Sequence, residues 1–82
     1  MGPPEFMTSA TRIPFVLKLM DGGWQSTRWQ LMQAFDSRLE GMYELLLGDV
    51  NQLSNESAEY VLYVEPEEAD KANAIIEYLT RG

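Results

Sequence analysis

Apolar residues alternate with others from residue 12 to residue 20. Ile13, Phe15, Leu17 and Leu19 fall on one side, and Pro14, Val16, Lys18 and Met20 on the other. That two-residue period predicts a first strand, closed by Asp21-Gly22-Gly23. Pro14 lacks a ladder donor, so the strand belongs at a sheet edge or Pro14 at its start. The period then lengthens. Trp29, Met32, Phe35, Leu39, Met42 and Leu46 recur every three or four residues, the spacing of one helix face. Thr27 and Gln30 have the spacing of a capping box, and Gly48 stands where a left-handed residue would end the helix. The pattern therefore predicts one helix over 27–47. It runs across Gly41, although glycine costs about 1 kcal/mol relative to alanine in a helix interior.

Residues 49–53 read either as a short second strand or as a plain loop, with turn chemistry in Ser54-Asn55-Glu56-Ser57 behind them. Tyr60-Val61-Leu62-Tyr63-Val64 is a clear strand, apolar on both sides. Pro66 suits the first position of a closing helix, and Glu67, Glu68 and Asp70 complement its dipole. Ala69, Ala72, Ile75, Ile76 and Leu79 form its buried stripe, with Arg81 and Gly82 at its end. The order β-α-β-β-α implies an α+β two-layer sandwich, a truncated ferredoxin-like arrangement. Its three-stranded antiparallel sheet would have order 1-3-2 with both helices on one face. The alternative is a two-stranded β-α-β-α unit.

Helices on one face leave the other face of the sheet open. Val16, Met20, Val61 and Tyr63 would then form an apolar patch, the kind of surface that docks a second copy or a protein partner. In the alternative, the Gly22–Gln25 loop folds over the patch with Trp24 as its lid. Trp29 begins the core stripe, and Trp24 is the aromatic expected outside. Asp36, Glu40 and Glu44, four residues apart, would share the solvated face of the long helix, either as plain surface or as a docking stripe for a basic partner.

Composition narrows the chemistry. The 82 residues suffice for one domain, 7–82, after a Met1–Phe6 stretch that reads as a cloning-vector remnant. The sequence has no histidine and no cysteine, which removes the commonest general base, the thiol nucleophile and most transition-metal ligands. The net charge of −7 disfavours nucleic acid and anionic membrane and is compatible with a basic protein partner or with solubility alone. Glu65–Asp70 lacks the spacing of a calcium loop, and helix capping accounts for its acids. No cofactor or metal is expected, and the cysteine-free, non-membrane sequence suggests the cytoplasm. The expected function is that of a non-enzymatic protein–protein interaction module that regulates, inhibits or assembles a partner. A homodimer sensing a metabolite at its interface is the alternative.

Overall fold

The computed structural model describes residues 9–81; the stretch at 1–6 expected to be a vector remnant, the expected start at Met7, and Gly82 lie outside them. Strands β1 (Thr11–Lys18), β2 (Tyr43–Leu47) and β3 (Ser57–Val64) alternate with helices α1 (Gly23–Arg38) and α2 (Ala69–Arg81) in the order β1-α1-β2-β3-α2. The sheet is antiparallel, with β3 between β1 and β2. Both helices lie on one face, so the α+β sandwich with order 1-3-2 is the fold of this chain.

The second element departs from its sequence reading. The segment expected as one helix over 27–47 is a helix that starts at Gly23, stops at Arg38, and yields to β2. Residues 39–47 satisfy both periods, since Tyr43, Leu45 and Leu47 alternate as well as Leu39, Met42 and Leu46 recur. Tertiary pairing decides between them. A central β3 must satisfy backbone groups along two edges, and β2 supplies the second, with Leu45 opposite Leu62 and Leu46 opposite Val61. Gly41 lies in the α1–β2 connection, where a Cβ would come within 2.6 Å of a Glu65 carboxylate oxygen and 2.7 Å of one of Glu68. Gly48 ends β2, not a helix. Residues 49–53 hold a single 3₁₀ turn, Val50–Gln52, capped by the Asp49 side chain, so the loop reading applies there and the strand reading does not.

The start of α1 also moves. Gly22 and Gly23 both take positive φ, 98° and 83°, which reverses the chain and begins the helix four residues before Thr27. Thr27 is therefore interior. Fully buried, its hydroxyl donates to the Gly23 carbonyl at 2.9 Å and accepts the Met20 N–H at 2.9 Å, tying the end of β1 to α1. Thr27, Leu31 and Phe35 form the buried row of α1. At about 100° per residue, Trp24 falls on the same arc and Trp29 on the opposite side. Trp24 accordingly packs on the core, whereas Trp29 is 62% exposed, the reverse of the sequence expectation.

The core lies between the helices and one face of the sheet: Leu17 from β1, Leu45 from β2, Ala58, Tyr60, Leu62 and Val64 from β3, with Leu31, Phe35, Ala72, Ile75 and Ile76 from the helices. The stripe expected on α2 is the one that packs.

Candidate interaction surface

The face of the sheet away from the helices is built from alternate residues of three strands, and the register places them in rows. Arg12, Tyr63 and Glu44 form one row, and Pro14, Val61 and Leu46 the next. Val16 and Glu59 form the third, which Gly48 extends through its N–H bond to the Glu59 carbonyl, 2.8 Å. Lys18 and Ser57 form the last.

Of the residues expected to form an apolar patch, Val16, Val61 and Tyr63 do share this surface. Val61 is only 5% exposed, because Pro14 and Leu46 flank it in its own row, while Val16 is 53% exposed and Leu46 39%. The central strand is thus apolar on both sides without a second sheet, its outer residue sheltered by its neighbours. Met20 is not on the surface: it lies past the end of β1, half-buried, with its N–H held by Thr27. Trp24 is no lid. It sits on the helix side, where its carbonyl accepts the Tyr60 hydroxyl at 2.8 Å, and burial raises the pKa of that phenol.

The acidic stripe does not exist as one face. Asp36 is on α1, Glu40 in the connection after it, and Glu44 on β2. Asp36 accepts the Tyr43 hydroxyl at 2.5 Å, a proton that the Met32 carbonyl also approaches at 3.1 Å. Burial, then the hydrogen bond to Asp36, raises the pKa of Tyr43 well above its ordinary value. Glu44 alone of the three belongs to the outer sheet face.

Both free edges of the sheet are blunted. Leu19 N–H donates to the Glu56 carbonyl at 2.7 Å and Gly48 N–H to that of Glu59. Continued along the register, these bonds turn the backbone groups of Arg12, Pro14, Val16 and Lys18 toward the open side of β1. Pro14 has no N–H to leave unpaired there and breaks the row of donors. On the open side of β2, the Arg28 guanidinium reaches from α1 and donates through Nε (3.2 Å) and Nη2 (2.9 Å) to the Leu45 carbonyl. Neither edge is a free template for strand addition, which leaves the face as the surface to consider.

Missed in the sequence were Leu46, Arg12 and Glu59 on the face and Arg28 at its edge, whereas Lys18 falls where the alternation of β1 put it, beside Val16. The alternation of Tyr43–Leu47 was the available signal for Leu46, and that of β1 for Arg12. Nothing local marks Arg28.

Two open clefts flank Trp24. One, of ≈ 410 Å³, is lined by Leu19, Gly23, Leu53, Ser54 and Asn55 with Trp24; the other, of ≈ 390 Å³, by Trp24, Gln25, Arg28, Leu46 and Leu47. The acids that open the last helix do more than complement its dipole. Glu68 is buried, and its carboxylate accepts the N–H groups of Glu40 (3.0 Å) and Gly41 (2.5 Å), with Lys71 at 3.6 Å. Those two backbone donors, and then Lys71, hold its pKa below the ordinary carboxylate value. Among the described residues no group of three or more acids is arranged around a metal position, and no helix is long and apolar enough to cross a membrane.

Compared with protein-family models, with curated proteins and with solved structures, the chain matches none.

Proposed function

We propose that this chain is a small, acidic, non-enzymatic protein–protein interaction module that docks a protein partner through the outer face of its sheet, and so regulates, inhibits or assembles that partner. The observation that carries the reading is the apolar band Pro14–Val61–Leu46, extended by Val16 and Tyr63, on a face that neither helix covers. An apolar patch rimmed by charges is the usual composition of a docking site. The net charge of −7 adds a field that draws basic partners and repels nucleic acid and anionic membrane. Lack of histidine and cysteine supports a non-enzymatic role, and the cysteine-free sequence a cytoplasmic setting.

Affinity capture and sedimentation of the wild type beside Leu46→Lys and Val16→Glu test the surface. Both side chains are exposed, so the fold should persist by circular dichroism while association falls at least tenfold. Unchanged association in both variants would remove the face from consideration. A second reading, the metabolite-sensing dimer, draws support from the clefts beside Trp24. It is the weaker one, because the Arg28 side chain that lines the cleft is already held through Nε and Nη2 by the Leu45 carbonyl.

A further inference from the structure

The charges on the outer face are sorted by strand. Arg12 and Lys18, both exposed, stand along β1, and neither has an ion-pair partner among the described residues. Glu44 stands on β2. Glu59 leans to the same side, where its carboxylate accepts the Asp49 N–H at 2.8 Å. The face therefore runs from a cationic column, across the apolar band, to an anionic column. Such a surface complements itself after a half-turn.

We infer that the occupant of this face is a second copy of the chain, packed face to face about a two-fold axis running along β3 through Val61. The inference rests on the reading of the face as a docking surface and names what docks there. Of the in-plane two-fold axes, two also keep the strands of the facing sheets aligned. An axis across the strands lays β1 on β1 with its direction reversed, so that Arg12 meets Lys18 of the second copy, like charge on like. An axis along the strands lays β1 on β2 and keeps each row level. Arg12 then meets Glu44 of the second copy, and the reciprocal pair forms by symmetry. Pro14 covers Leu46, Val16 packs on the Glu59 side chain that lies over Gly48, and Val61, Tyr63 and Glu59 meet their own copies, the Glu59 carboxylates held apart by their lean toward Asp49. Facing sheets lie about 10 Å apart, within the combined reach of arginine and glutamate.

The size of the face sets the strength. Eight residues at about 3.3 Å and three strands at about 4.8 Å cover at most roughly 380 Å² per copy, since β2 is only five residues long. Twice that is well under the ~1,200 Å² at which specific, stable interfaces begin. The dimer is weak, both because the area is small and because two copies at −7 repel one another at a distance, so it forms with rising concentration and salt, and its orientation is set by the charge pairs more than by area.

The charge pairs provide the test. Sedimentation equilibrium over a concentration series into the millimolar range should show wild-type dimerisation. R12E and E44R should each weaken it at least tenfold, since each homodimer then holds two like-charge contacts. An equimolar mixture of R12E and E44R should recover wild-type association as a heterodimer visible by native mass spectrometry, because both crossed contacts are again opposite in sign. A mixture that associates no better than its components overturns the geometry. A wild type that stays monomeric across the series overturns the dimer. If that monomer still captures a host protein that Leu46→Lys fails to capture, the docking surface stands and only its occupant is wrong. If Leu46→Lys captures the same protein, both fall.

Discussion

Replacing Thr27 by valine keeps the shape of a fully buried side chain and removes its hydroxyl. Two bonds depend on that oxygen. The Gly23 carbonyl retains its place in the helical ladder and loses little. The Met20 N–H, held at 2.9 Å, has no other acceptor in its hydrogen-bonding geometry. A buried donor stripped of its partner costs about 1–3 kcal/mol. Met20 is half-buried and water can reach it in part, which favours the lower half, about 1–2 kcal/mol. The extra apolar methyl of valine offsets a few tenths of that. For a domain of this size each kcal/mol moves the midpoint by about 4–8 °C, so Thr27→Val should melt roughly 5–12 °C below wild type. Thermal unfolding followed by circular dichroism gives the shift, and hydrogen exchange at the Met20 amide locates it. A variant that melts with the wild type and keeps its Met20 amide equally protected would refute the bridge between β1 and α1.

Two further outcomes follow from the packing. Glu68 has its carboxyl pKa lowered from an ordinary 4.5, so the anion is the form that the fold stabilises. That contribution is full above about pH 5 and disappears as pH falls through the lowered value; urea midpoints of Glu68→Gln should therefore lie below wild type at pH 7 and approach it at pH 3. A gap that is the same at both pH values would show that the carboxylate charge is not what Glu40 and Gly41 require. Phe35→Ala, at a position with no exposure, should cost about 3–5 kcal/mol and leave little folded protein, whereas Trp29→Ala on the same helix should change stability by no more than about 0.5 kcal/mol. Equal losses in the two variants, measured by chemical denaturation, would contradict the orientation of α1.

Much of this molecule was legible without coordinates, and the reasons are local. The alternation of Ile13, Phe15, Leu17 and Leu19 can satisfy only a strand with one buried side, and Pro14 placed that strand at an edge. Pro66 and the acids behind it announce a helix start, and Ala72, Ile75, Ile76 and Leu79 leave its buried stripe in little doubt. With the clear strand at 60–64, these were enough for the layer architecture. Residues 39–47 were not decided locally, because their apolar positions fit a period of two and one of about 3.6 equally well. Pairing with both edges of β3 broke the tie. The same tertiary constraint rotated α1. Once Gly22 and Gly23 start the helix early, Thr27 must face inward and Trp29 outward, however apolar Trp29 is. The candidate surface divides in the same way. Val16, Val61 and Tyr63 follow from alternation within their own strands. Leu46 and the opposing columns of Arg12 and Glu44 exist only once the register sets three strands side by side, because a row across a sheet joins residues that no stretch of sequence holds together.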